Sequence, residues 1–215
     1  MQHSNTGYND QDNTCNIKNR FYNKMSFSHK SELSKIDDKF RIVFDLDETI
    51  VHSIGIDEPV PRGLDHFEIP IGYNVLIRPH FYKLLREVVA LFDEIYVYTA
   101  ATDEYAKHVV KHVFHGISLA GLWTRDSCDG DTNTIHKILH DKRSPENRII
   151  DTARTMILDD RAEVSERNIY ARRNGNNLPQ NHIVIHPFNT DVSDTTLIDV
   201  ISQIRNWKRH KVTGQ

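Results

Sequence analysis

The sequence predicts an α/β fold built on a mostly parallel sheet with helices on both faces. Short β-branched and aromatic runs alternate along it with segments of helical periodicity, the pattern of βαβ crossovers. Three of the predicted strands end in polar residues, at Asp45/Asp47, Thr99 and Asp159/Asp160. In an open α/β sheet these carboxyl ends share one edge, and ligands bind there.

Residues 1–39 are rich in Asn, Ser, Asp and Gln, with Asn at 5, 9, 13, 16, 19 and 23. Such a stretch buries too little to offset its ordering entropy, so it is expected to be a disordered tail. The folded domain is expected over 40–207, with 208–215 as a short C-terminal tail. Phe40 to Phe44 (FRIVF) is the first strand. His66 to Arg78 predicts a small hairpin, with FEIPI and VLIR flanking a Gly72-Tyr73-Asn74 turn. Phe81, Leu84, Leu85, Val88 and Phe92 recur at helical spacing behind Pro79, a residue tolerated in a first turn. Glu94 to Thr99 is the next strand. Thr102-Asp103-Glu104 then opens a helix with acids at its positive end and a stripe of Tyr105, Val109, Val110, Val113 and Phe114. Thr155 to Leu158 and His182 to Ile185 are two further strands. Ser193-Asp194 caps a last helix whose apolar face is Leu197, Ile198, Ile201 and Ile204.

Composition narrows the class. Lys plus Arg number 27 and Asp plus Glu 30, a formal charge of −3. That excludes a protein held to nucleic acid by backbone attraction alone. No window offers the ~20 apolar residues of a membrane span. No basic segment followed by an apolar run opens the chain, so cytoplasm or nucleus is expected, not secretion. Cys15 and Cys128 make neither a disulfide framework nor a CxxC zinc spacing. His108, His112 and His115 share one side of a helix, but such a trio without supporting partners reads as a solvated face rather than a metal site.

Asp45-Leu46-Asp47-Glu48-Thr49 carries the chemistry. Two carboxylates two residues apart, straight after an apolar strand, repel each other unless a cation lies between them. A divalent cation such as Mg²⁺, which favours a few carboxylates plus phosphate and water, meets that need. An Asp carboxylate is also a nucleophile towards phosphorus.

DLDETIVHS, Asp45 to Ser53, resembles the first motif of the haloacid-dehalogenase (HAD) superfamily. More narrowly it resembles the FCP/SCP-type phosphatases that act on the C-terminal domain of RNA polymerase II. The similarity continues in order through Arg78-Pro79-His80, YTAATDEYA (Tyr98 to Ala106), Arg125-Asp126-Ser127-Cys128, Ile157-Leu158-Asp159-Asp160-Arg161 and Asn181 to Ile185, then Ser193 to Leu197. It covers roughly Phe40 to Trp207.

The resemblance implies a HAD-like, Rossmann-like sheet with the hairpin as a small insertion. It implies Asp45 as nucleophile and Asp47 as the acid, then base. Mg²⁺ would be held by the Asp45 carboxylate, the Asp47 main-chain carbonyl and Asp160, with Asp159 close by. Substrate phosphate would be bound by Thr99 and a lysine, with Thr49 steadying the first loop and Arg78 included in the phosphate-binding set. Lys137, in IHKIL, and Lys142, nearer Asp159, are the two candidates for that lysine; motif spacing favours Lys137.

Relatives that act on small molecules carry a large cap domain, and the gaps after Asp47 and after Thr99 leave no room for one. An open cleft is expected, suited to phosphoserine or phosphothreonine on a protein or peptide. The expected activity is that of a Mg²⁺-dependent protein phosphatase with an aspartyl-phosphate intermediate. Two alternatives stand beside it: a capless phosphatase for nucleic-acid ends or a small metabolite, and a binding module that keeps the fold without turnover. A membrane partner is not expected, and nucleic acid is disfavoured.

Overall fold

A computed structural model of the chain describes residues 38–128, 154–161 and 181–213. The run RIVF forms strand β1 (Arg41–Phe44) at the centre of a five-stranded sheet. β5 (Glu94–Tyr98) and β7 (Thr155–Asp159) flank it, and β6 (Gly121–Trp123) and β8 (His182–Val184) lie outside them. The order is β6-β5-β1-β7-β8, and every neighbouring pair is parallel. Arg41 lies opposite both Glu94 and Thr155, and Phe44 opposite both Val97 and Leu158. The residues that follow, Asp45, Thr99 and Asp159-Asp160, therefore emerge along one edge.

Strand alternation divides the apolar residues between two faces. Ile42, Phe44, Ile95, Val97, Met156 and Leu158 join the main core, while Val43, Tyr96, Tyr98, Trp123 and Ile157 form a second cluster. The three described helices all bury their stripes in the main core. They are α1 (Phe81–Leu91), α2 (Asp103–Val113) and α3 (Thr196–Thr213). α2 carries acids in its first turn and Lys111 and His112 in its last, complementing the helix dipole. Asp194 Oδ1 accepts the Thr196 N–H at 2.7 Å, as expected of a cap for α3. That helix runs on to Thr213, through residues set aside in the sequence as a tail. KRHKVT has no apolar stripe to announce a helix, yet Lys208 Nζ sits 3.3 Å from the Phe40 ring centroid. Residues 129–153, 162–180 and 214–215, like residues 1–37, fall outside the described residues.

The predicted hairpin is present as β3 (His66–Ile69) and β4 (Tyr73–Ile77), turning at Gly72 with φ 88°. It gains a third strand that the sequence did not announce, β2 (Val51–Gly55), antiparallel to β4. VHSIG shows no clean alternation, and its extended form follows from pairing, Val51 with Ile77 through Gly55 with Tyr73. β6 was equally hidden, being three residues long and opened by a glycine. A Cβ on Gly121 would stand 3.0 Å from the Tyr96 ring, on which Trp123 stacks at 5.0 Å. Between Asp47 and β5 the chain holds only this three-stranded sheet and α1, so the insertion there is no cap domain.

Candidate active site

The site begins where β1 ends. The Asp45 N–H still donates to Leu158 O at 2.9 Å, continuing the sheet one residue past the strand. The chain then folds tightly over Leu46, whose carbonyl accepts from Thr49, Ile50 and Val51 at 3.2, 2.9 and 3.1 Å. Glu48 adopts the left-handed region, φ 59°, to make that turn.

This loop and the end of β7 bring three carboxylates together. Oxygens of Asp45, Asp159 and Asp160 all lie within 4.8 Å of one another. Thr49 sits between the two strand ends. Its Oγ1 is 3.4 Å from Asp45 Oδ2 and 3.4 Å from Asp160 Oδ1, and it accepts the Asp160 N–H at 3.1 Å. Thr99, at the end of β5, accepts the Ala101 N–H on its Oγ1 at 3.0 Å. Asp47 stands apart from the cluster, and its Oδ1 accepts the Tyr105 hydroxyl at 2.6 Å.

Above these residues lies an open cleft of about 680 Å³. Asp45, Asp47, Thr99 and Asp160 line it, Ile71 and Tyr73 come from the small sheet, and Tyr105 from the start of α2. Two cations, Arg125 and Arg161, face it as well. Arg125 Nε donates to Ala100 O at 2.8 Å, which fixes the arginine beside Thr99. The Arg161 N–H donates to Asp159 Oδ1 at 2.9 Å.

Charge and burial shift nearby groups in consistent directions. Burial raises the Glu48 carboxyl above its ordinary value; Asp47 and Asp160 add to the rise and His52 partly offsets it. Burial, then the charge of Asp47, pushes the Tyr105 phenol up, so it stays a neutral hydroxyl donor. The three clustered aspartates offer only oxygen donors, and Asp45 and Asp159 are buried. Like charges this close are mutually destabilising unless a cation lies among them. An all-carboxylate set suits a hard divalent cation such as Mg²⁺ and not a soft metal.

The sequence expectations meet this geometry unevenly. Asp45, Asp159, Asp160 and Thr99 do converge, with Asp47 beside them. Thr49 lies below the carboxylates and bridges them instead of lining the cleft. Arg78 lies elsewhere. It is buried beneath the loop, its Nε and Nη2 on Asp194 Oδ2 at 2.9 and 2.8 Å, Nη1 on Thr49 O at 3.0 Å, and Nη2 also on His186 O at 2.8 Å. The expected phosphate contact is corrected to an internal brace, because these carbonyls and Asp194 already engage every guanidinium nitrogen. Lys137 and Lys142 lie outside the described residues.

Sequence reasoning misses Tyr105, Arg125 and Arg161, all of which line the cleft. Tyr105 falls on an apolar stripe, which predicts a core residue. Arg125 opens RDSC and Arg161 follows ILDD, and a cation beside an acidic strand end is the signal that points to them.

The family model for NLI interacting factor-like phosphatases matches residues 40–212. Among solved structures, Fcp1, an essential RNA polymerase II CTD phosphatase, is similar at 21% identity over 87% of this chain and 52% of its own, with a TM-score of 0.49. A variant of the fission yeast RNA polymerase II CTD phosphatase Fcp1, bound to beryllium fluoride, is similar at 20% identity over 87% of this chain and 53% of its own, TM-score 0.49. The chain thus spans about half the length of these solved structures. Comparison with curated proteins gives no match. The family match starts just ahead of β1, ends near the close of α3, and takes in every carboxylate of the cluster: the chain belongs to the NLI interacting factor-like phosphatase family.

Proposed function

We propose that the chain is a Mg²⁺-dependent phosphomonoester hydrolase that removes phosphate from phosphoserine or phosphothreonine in proteins. The observation that carries this reading is the convergence of Asp45, Asp159 and Asp160, of which Asp45 and Asp160 line a cleft shared with Thr99 and Asp47.

Asp45 is the nucleophile. Its carboxylate oxygen forms a bond to phosphorus while the ester P–O bond breaks, giving an aspartyl-phosphate. Asp47 gives its proton to the departing serine or threonine oxygen. It then takes a proton from the water that attacks the aspartyl-phosphate, which releases inorganic phosphate and restores Asp45. The Thr99 hydroxyl donates to a phosphate oxygen, and Arg125 and Arg161 place positive charge where the transferring group spreads its negative charge. Lys137 adds to that charge in the same role. Asp45, Asp160 and Asp159, with the Asp47 main-chain carbonyl, would hold Mg²⁺, which when bound supplies charge neutralisation between the carboxylate and the phosphate. Asp45 and Asp159 are buried at the sheet edge, so their geometry is set before substrate arrives.

The openness of the cleft favours a phosphate presented on a macromolecule, because among the described residues little beyond the small sheet stands over it. The test is phosphate release from a panel of phosphopeptides, with and without Mg²⁺, on wild type and Asp45→Asn. Asp45→Asn is expected to lose at least about a thousandfold in kcat on every substrate. Retention of most activity sinks the nucleophile assignment. Higher kcat/KM on 3′-phosphorylated oligonucleotides or sugar phosphates than on any phosphopeptide would replace the substrate class.

A further inference from the structure

The contact between α2 and the Asp47 loop has no place in the chemistry so far. Tyr105 is 8% exposed, and its hydroxyl sits between two partners. It donates to Asp47 Oδ1 at 2.6 Å, and Ser53 Oγ stands 2.6 Å away on its other side. A phenol has one proton. With that proton directed to Asp47, the serine hydroxyl must be the donor in the second bond. The result is a one-way relay of hydrogen bonds, Ser53 to Tyr105 to Asp47, joining β2, α2 and the loop after β1. The Tyr105 ring is itself held edge-on by Tyr73 of β4, with centroids 6.3 Å apart.

We propose that Tyr105 is a positioning residue for Asp47: it anchors one carboxylate oxygen, so that proton transfer to and from substrate falls to the other. This rests on the phosphatase reading above. Asp47 lies on a loop, and an unanchored carboxylate would rotate among orientations of which few face the leaving oxygen. Fixing it on a phenol that projects from a helix removes that freedom before the substrate binds. The anchoring bond survives both protonation states, because the phenol donates to Oδ1 while the proton comes and goes at Oδ2. Ser53 in turn prevents the phenol from swinging away. No proton passes through Tyr105, so it acts only through Asp47.

The substitution Tyr105→Phe removes the hydroxyl and keeps the ring. The readout is kcat/KM on two substrates, since it reports the steps up to departure of the leaving group. p-Nitrophenyl phosphate has a leaving group that departs without a proton; a phosphoserine peptide has one that needs it. Tyr105→Phe is expected to lose about tenfold or more on the phosphoserine peptide and less than about threefold on p-nitrophenyl phosphate. In an Asp47→Asn background the same change is expected to have no further effect on either. Ser53→Ala is expected to show the same selectivity with a smaller loss.

Equal losses on both substrates, no loss on the peptide, or an additive loss in the Asp47→Asn background would each overturn the proposal. If Tyr105→Phe fails to fold, Ser53→Ala decides: a selective loss supports the proposal, and an unselective or absent one overturns it. A wild-type chain without Mg²⁺-dependent turnover on either substrate overturns the phosphatase reading and this role with it. Wild-type turnover with an unselective Tyr105→Phe overturns the positioning role alone.

Discussion

Arg78 carries a full positive charge into a site where only 1% of its surface meets solvent. Burial lowers its tendency to hold the proton, and Asp194, through charge and hydrogen bonding, offsets only part of that drop. The guanidinium then ties the carbonyl of Thr49, the carbonyl of His186 and the cap residue of α3 into one knot. Such a residue braces the Asp45–Thr49 loop from below. Arg78→Met leaves Asp194 and the carbonyls without their donor in a buried setting, and is expected to cost about 3–5 kcal/mol of stability. Urea denaturation reads it directly. A change in KM with an unaltered denaturation midpoint would instead return Arg78 to the phosphate. Arg78→Lys should recover little, since one ammonium cannot reproduce a planar fork of donors.

At the scale of strands, the pairing of β1 with β5 is locked at the sheet edge opposite the site. Glu94 faces Arg41 in register, accepting from its Nε at 2.7 Å, from the Tyr96 hydroxyl at 2.8 Å and from Lys39 Nζ at 2.6 Å. Burial by itself would raise the Glu94 carboxyl, but the bonds from Lys39, Tyr96 and Arg41 outweigh it and hold the value at about 2, against an ordinary 4.5. Lys39 is 55% exposed at its side chain and Arg41 only 7%, so the arginine and the tyrosine carry most of the net stabilisation. A carboxyl with a depressed value binds protons more weakly in the folded chain than in the unfolded one. Its stabilisation is therefore complete above pH 4.5 and is lost as pH falls towards 2. Glu94→Gln is expected to lower stability at pH 7 by about 1–3 kcal/mol and to flatten the dependence within that acid window. Thermal melts across the window check both. A variant whose acid limb matches the wild type would show that other carboxylates govern it.

For the whole molecule, the ends of β1 and β7 deliver three carboxylates to one point, and such an arrangement would couple folding to the binding of a cation. An ion that binds only the folded chain stabilises it by mass action. At ten times its dissociation constant Mg²⁺ should add about 1.4 kcal/mol. In a domain of this size that amounts to a rise of about 4 °C in the melting midpoint. EDTA should abolish the rise, and Asp160→Asn should blunt it without unfolding the chain. A midpoint indifferent to Mg²⁺ through the millimolar range would count against a cation among these aspartates. K⁺ at matched ionic strength is the control for general screening of charge.

What the sequence by itself determined was local in character. Strand runs such as RIVF and TMILD, each followed at once by acids, sufficed to place Asp45, Asp159 and Asp160 at one rim, because a parallel sheet aligns the ends of its strands. The stripe Phe81, Leu84, Leu85, Val88 was enough to place α1. Strands β2 and β6 were not legible, since neither VHSIG nor GLW has a pattern of its own and both become extended only by pairing with β4 and β5. Tertiary structure alone decided which side chains meet across the chain. Tyr105 finds Asp47 from 58 residues away and Ser53 from 52, and Arg78 turns inward to Asp194 across 116. Periodicity records which face of an element is apolar, but it holds no information about which polar atom on another element will be within reach, and that depends on how the sheet, the helices and the small insertion pack.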